Sequence, residues 1–266
     1  MLSLPPPSFS LLRSFRGLPF LCAMALGGGC IVSVSQAGAP PPQLPFEVGE
    51  VIDYDLKWGI FNVGKAQLKV MPMTEFAGET AWHFVFQIRT NAFADRMFKV
   101  RTRIDSMVSE DLQRTLHYSE NKQEGSTHRE IEVGYDWLQR TATYSNFGQA
   151  REPVPFGEGP VLDPLGAVYH LRSQVHSKSG EIRFTVMDGR KVAPLRLESG
   201  SEERIRVNGK RWRSVVYEPQ TADLGGAFAQ SANSELRIWF TQDGQVRPLQ
   251  LQGEVAVGSF WARMVN

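Results

Sequence analysis

Residues Val51 to Val70 read V-I-D-Y-D-L-K-W-G-I-F-N-V-G-K-A-Q-L-K-V, and the period of this stretch decides the fold. Ile52, Tyr54, Leu56 and Trp58 fall on one side, and Val51, Asp53, Asp55 and Lys57 on the other. A period of two marks a β-strand with one face buried. Gly59 and Asn62 turn the chain, after which Gly64, Ala66, Leu68 and Val70 alternate with Lys65, Gln67 and Lys69. The stretch is therefore a β-hairpin with one wet face.

The pattern propagates outward from there. Trp82, Phe84, Phe86 and Ile88 oppose His83, Val85, Gln87 and Arg89; after an interruption at Asn91 to Arg96, Phe98, Val100, Thr102, Ile104 and Val108 oppose Lys99, Arg101, Arg103 and Asp105. Leu112 to Glu120, Arg129 to Tyr135 and Leu138 to Tyr144 continue the meander, with turns at Gly125-Ser126 and Asp136-Trp137. One segment breaks the rhythm. Leu165, Val168, Tyr169, Leu171 and Val175 recur at three and four, with Asp163 placed to cap and Pro164 in the first turn, so Asp163 to Val175 is expected to be a helix. Strands then resume over Glu181 to Met187, Lys191 to Glu198, Glu203 to Val207 and Trp212 to Glu218, with turns at Asp188-Gly189 and Asn208-Gly209. Pro219 to Ser231 reads as a Gly/Ala-rich loop. Leu236, Ile238 and Phe240 lead to a second turn of the Asn-Gly kind at Asp243-Gly244, then to a final pair around Val246 to Leu251 and Glu254 to Val265. A short echo of Val63-Gly64 at Val257-Gly258 places the end of the chain near its beginning.

About a dozen strands and one helix give an all-β fold: a large curved, mostly antiparallel sheet, an incomplete β-barrel or β-roll, covered by the helix. A meander with one apolar face must bury it, by curling or by folding back as a second layer. The boundaries read as 1–37 leader, 38–45 proline-rich linker and 46–266 one β-rich domain.

The leader is read from its order of parts. Arg13 and Arg16 precede the uncharged run Gly17 to Val34, and Ser35 and Ala37 supply a small-x-small exit. These are the elements of a secretory signal peptide cut after Ala37, which predicts a periplasmic protein. The alternative is a retained membrane anchor, although Gly27, Gly28 and Gly29 leave the apolar core shorter than the roughly 20 residues of a span. Acylation at Cys30 is a third route. Loss of the leader removes two arginines and no acids, leaving 27 basic against 28 acidic side chains. That balance gives no reason to expect nucleic acid. Cys22 and Cys30 both leave with it, which excludes disulfides, thiolate metal sites and a cysteine nucleophile from the remainder.

Four blocks have a familiar look: Y-D-L-K-W-G-I-F-N-V-G (Tyr54 to Gly64), D-R-M-F-K-V-R-T-R-I-D-S (Asp95 to Ser106), D-P-L-G-A-V-Y-H-L-R (Asp163 to Arg172) and I-W-F-T-Q-D-G-Q-V-R-P-L-Q-L (Ile238 to Leu251). In that order, over roughly Phe46 to Val265, the chain resembles the exported bacterial family catalogued as domain of unknown function 3108. The resemblance implies an envelope location and a β-rich fold. It brings no activity and no catalytic residues.

No grouping of side chains specifies chemistry. The histidines His83, His117, His128, His170 and His176 lack metal-ligand spacing and read as solvated surface imidazoles, and no cofactor motif is present. Serine catalysis lacks its G-x-S-x-G elbow. Asp53 and Asp55 share a strand face and raise the alternative of an envelope enzyme acting on glycan or peptidoglycan, although Lys57 beside them fits a solvated charged face. Arg101 and Arg103 present forks that suit an anionic head group, or form an ordinary charged exterior. Tyr54, Trp58, Phe84 and Phe98 occupy the inward parity and form either core or cavity wall. Together these six residues are the ligand-binding candidates. The expected role is a non-catalytic binding or scaffold protein for a hydrophobic or amphipathic envelope molecule; the other alternative is a structural partner of another envelope protein.

Overall fold

The computed structural model describes residues 43–176, 180–198, 200–219, 235–255 and 258–265. The leader, the start of the proline-rich tether and nearly all of the Pro219 to Ser231 loop lie outside the described residues.

The opening hairpin forms as its period requires. β1 (Val51–Trp58) and β2 (Phe61–Phe76) pair antiparallel, with Tyr54 opposite Ala66 and Ile52 opposite Leu68. β3 (Glu79–Thr90) follows; the four-residue α1 (Ala92–Asp95) then leads into β4 (Val100–Ser109). β5 (Thr115–Glu124), β6 (Thr127–Asp136) and β7 (Thr141–Asn146) extend the meander, ending in the two-residue strands β8 (Gln149–Ala150) and β9 (Val154–Pro155). After β10 (Val161–Leu162) comes α2 (Pro164–His176), then β11 (Ile182–Met187) and β12 (Val192–Leu197). The chain closes with β13 (Ser201–Val207), β14 (Lys210–Tyr217), β15 (Glu235–Thr241), β16 (Pro248–Val255) and β17 (Gly258–Met264).

One 14-stranded sheet runs β13-β14-β15-β16-β17-β1-β2-β3-β4-β5-β6-β7-β8, with β9 on β7. It is a curved open sheet and not a closed barrel: β13 and β8 are its ends. The last strand pairs with the first, Tyr54 opposite Met264, so the chain does return to its beginning. Close approach is built into this hairpin at Gly64, where a Cβ would collide with the carbonyl of Arg89 on β3. At β13–β14 the turn is Asn208-Gly209, both residues at positive φ, as a tight two-residue hairpin turn requires. Asp243-Gly244 is different. It lies in a six-residue loop between Thr241 and Pro248, stitched by Thr241, Gln245 and Arg247 bonding to the Asp243 carboxylate.

β10, β11 and β12 form a separate three-stranded sheet, with the β10–β11 pair parallel. This small sheet and α2 pack against the inner face of the large one. Ile52, Tyr54, Leu56, Leu68, Val70 and Phe84 meet Leu165, Tyr169 and Leu171 of α2 and Ile182, Phe184, Leu195 and Leu197 of the small sheet in one core. The helix is anchored by aromatic rings. Phe84 stacks on Tyr169 with centroids 3.6 Å apart, while Phe46 sits edge-on to Trp82, Phe84 and Tyr169 at 5.1–5.7 Å. A ring buried like that of Phe84 stabilises the fold by about 1.5–3 kcal/mol. A second cluster around Tyr118, Val133, Tyr144, Phe156 and Met187 closes the β6–β7 end.

Two expected core residues are elsewhere. Trp58 is 45% exposed and Phe98 is 56% exposed. Trp58 keeps the inward parity, whereas Phe98 sits in the turn after α1, its amide bonded to the Ala94 carbonyl. Trp58 is the last residue of β1, however, and Phe98 precedes β4, so each stands past the reach of the covering layer. His170 departs in the other direction: it is buried on α2, with Nδ1 2.9 Å from the Leu112 carbonyl and its ring edge-on to Phe184, and burial lowers its pKa.

Candidate functional site

Between α2, the small sheet and the inner face of β15–β16 lies an apolar cavity of about 350 Å³. β12 supplies Ala193, Leu195 and Leu197, successive inward residues of a strictly alternating strand. β11 adds Phe184 and Val186, and α2 adds Ala167, Val168 and Leu171. Leu236, Ile238 and Leu251 close the far wall from the large sheet. Among the described residues the charged lining is confined to Asp188 and Lys191, in the turn joining β11 to β12. Asp188 Oδ1 accepts from the backbone amides of Arg190 and Lys191, at 2.9 and 2.8 Å, and fixes that turn. The chemistry available is that of a greasy slot with a polar end. Its volume is in the range of small-molecule pockets, about 300–1,000 Å³.

Two buried polar devices hold α2 in place as one wall. At its start, Asp163 Oδ1 accepts from the amides of Leu165 and Gly166 at 2.8 and 3.0 Å, an N-cap. Its Oδ2 accepts from the hydroxyls of Ser106 and Thr115 on β4 and β5. Burial raises the Asp163 pKa, outweighing these hydrogen bonds. Further along the helix, Arg172 is completely buried. It bonds Glu50 through Nη1 at 2.6 Å and Nη2 at 2.9 Å, and the carbonyls of Pro45, Gln245 and Val246 at 2.9–3.0 Å. Its guanidinium also lies against the rings of Phe46 and Tyr169. One side chain thus ties the chain before β1 and the β15–β16 loop to the helix.

The six candidates of the sequence do not converge. Tyr54 and Phe84 are core; Tyr54 donates its hydroxyl to the Pro248 carbonyl at 2.7 Å, and burial pushes its pKa up. Trp58 and Phe98 lie on the rim described above. Arg101 and Arg103 are neighbours on the outer face, with their forks engaged. Arg101 is bidentate to Asp95 at 2.6 and 3.0 Å, and its hydrogen bonds hold the Asp95 carboxyl down at about 2. Arg103 is bidentate to Asp105, with both contacts at 2.7 Å. His83 is 2.8 Å from the same carboxylate; burial raises Asp105, but the bonds from Arg103 and His83 prevail and keep it low. Asp53 and Asp55 are also on the outer face, away from the core and cavity. Asp53 accepts from Gln67 at 2.6 Å, and Asp55 faces Lys65 and Arg263 across the strands. No cluster of three or more metal-ligating side chains exists among the described residues. No helix among them is long and apolar enough to cross a membrane.

Sequence reasoning did not single out the cavity walls. The signal was present in the unbroken alternation Ala193, Leu195, Leu197, but it does not say which sheet that strand joins.

A structure search returns a β-barrel-like protein of domain of unknown function DUF1849 from Brucella abortus, at TM-score 0.50 and 10% identity, covering 82% of this chain and 96% of that one. It also returns the hypothetical protein CT021 from Chlamydia trachomatis at TM-score 0.35 and 9% identity, covering 82% and 86%. The first shares the fold at an identity too low to speak to function. Among curated proteins no significant match was found. A family profile described as protein of unknown function (DUF3108) matches residues 53–265. Since that profile covers nearly all of the described chain, the protein belongs to the DUF3108 family.

Proposed function

We propose that this protein is a non-catalytic carrier or scaffold of the cell envelope that holds a hydrophobic or amphipathic molecule in the cavity between α2, β11–β12 and β15–β16. The observation that carries the reading is the cavity itself: about 350 Å³ walled by aliphatic and aromatic side chains, with Asp188 and Lys191 the charged lining among the described residues. Water gains little in such a slot, and an acyl or other apolar group entering it is removed from water at about 25 cal/mol per Å² of apolar surface. Lys191 is exposed and would meet a polar or anionic head. Export to the periplasm rests on the basic, apolar and small-residue order of residues 1–37.

The test is native mass spectrometry of the protein purified from its own cells, followed by organic extraction of the denatured sample. The reading expects an adduct of lipid-like mass, recovered in the organic phase and absent after Ala193→Phe. A homogeneous apo mass from freshly isolated protein, with nothing extracted, would retire it.

A further inference from the structure

Exposed large apolar side chains gather at one end of the large sheet. β1 ends there and β2 begins there, bringing Trp58, Ile60 and Phe61; the β3–β4 connection brings Phe93, Met97 and Phe98. Ile60 is 87% exposed and Met97 63% exposed. These are not scattered single residues. Phe61 stacks on Phe93 at 6.0 Å, and Asn91 fastens the second turn to the first by bonding the carbonyls of Val63 and Asn62. The turns therefore stand together as one apolar tip.

The charge around the tip is predominantly basic, with Glu124 of β5, opposite Val100, an acid at its edge. Residues 57–65 and 89–101 hold six basic side chains, Lys57, Lys65, Arg89, Arg96, Lys99 and Arg101, against the single acid Asp95. The whole chain, by contrast, is nearly balanced at +1. Behind the tip on the outer face, Lys65, Arg89 and Arg101 stand directly opposite one another across β2, β3 and β4. The three stay net basic, although Asp95 holds Arg101 and Asp55 faces Lys65. They also line a groove of about 620 Å³ together with Arg103 and the carboxylate of Asp53. An anionic layer lying against this end would meet that net positive charge while the apolar turns enter it.

We infer that this tip docks on the surface of an anionic lipid bilayer, with Ile60, Phe61, Met97 and Phe98 entering the headgroup and upper acyl region and the basic residues meeting lipid phosphates. Aromatic and aliphatic side chains at turn apices with Lys and Arg just behind them match the layering of a membrane interface. The inference is independent of the cavity, since it rests on different residues.

The experiment is flotation of the full chain with vesicles of phosphatidylcholine alone and with mixed vesicles of phosphatidylcholine and phosphatidylglycerol. The leader is common to every variant, so differences report the tip. Wild type should prefer the mixed vesicles and lose that preference as salt rises. Arg96→Glu with Lys99→Glu should weaken the anionic binding about tenfold. Ile60→Ser with Met97→Ser should weaken it by a similar factor while leaving the salt dependence in place. All four sites are exposed, so melting curves should coincide with wild type. Equal binding to neutral and anionic vesicles, or variants that bind as wild type does, overturns the inference. So does a photocrosslinker at position 60 that captures a protein and no lipid in cells.

Discussion

Arg172→Met is the perturbation whose magnitude the structure fixes most closely. The guanidinium has no solvent exposure, and every one of its nitrogens bonds to an acceptor from outside α2: the Glu50 carboxylate and the carbonyls of Pro45, Gln245 and Val246. Methionine fills much of the volume between Phe46 and Tyr169 but returns none of those donors. Removing one partner of a buried ion pair costs about 3–5 kcal/mol, because the other charge stays behind. Glu50 keeps 14% side-chain exposure and recovers some hydration, which places the expected loss near the lower end, about 3 kcal/mol. For a chain of this size that is roughly 6–12 °C in Tm. Arg172→Lys should fall between, since an ammonium offers three donors and no planar fork. Adding Glu50→Gln to Arg172→Met should restore part of the loss. Urea unfolding followed by tryptophan fluorescence measures all four proteins. A loss below about 1 kcal/mol, the scale of an exposed pair, would refute the clamp.

Further expectations follow from the same packing. Phe84→Ala should cost about 3–5 kcal/mol and Trp58→Ala less than about 1 kcal/mol in chemical denaturation, and the reverse order would mean the covering layer has been misplaced. Asp163 is more readily protonated folded than unfolded, so its ionisation opposes folding as pH climbs out of the usual carboxylate range. The stability of wild type relative to Asp163→Asn should therefore fall with rising pH through the folded pKa of Asp163; a difference independent of pH would contradict this. The Asp95 carboxyl should titrate near about 2 by NMR and move back toward the ordinary carboxylate range in Arg101→Gln. An unmoved midpoint would show that the Arg101 bond is not what holds it.

Much of this architecture could be read from alternation alone, because a residue's face in a strand is a local property. Ile52, Tyr54, Leu56 and Phe84 alternate inward and are buried for that reason. Asp163 and Pro164 announced the helix through the unpaired amides of its first turn, and those amides do bond to Asp163. Alternation says which side a residue takes, however, and not how far the opposite layer extends. Trp58 has the right parity but stands at the very end of β1, and Phe98 lies before β4, where alternation has not begun. The helix stripe understates burial for a related reason: α2 packs against both the large sheet and the small one, so His170 and Arg172 are buried too. The partners of Arg172 lie 73 to 127 residues away in sequence, beyond any local pattern. Sheet membership was equally hidden. Glu181 to Met187 and Lys191 to Glu198 read as further strands like the rest, and only long-range pairing sets β11 and β12 apart as the cavity's second wall.

The central claim is that this wall, α2 and β15–β16 enclose a slot made to hold something apolar. Titration with N-phenyl-1-naphthylamine, whose fluorescence rises on leaving water, tests it most directly when run on wild type beside Ala167→Phe and Ala193→Phe. The account predicts saturable one-to-one enhancement in wild type, abolished in both variants while their circular dichroism spectra and melting curves persist. Enhancement that never saturates, or that survives the filling of the cavity from both sides, would contradict it.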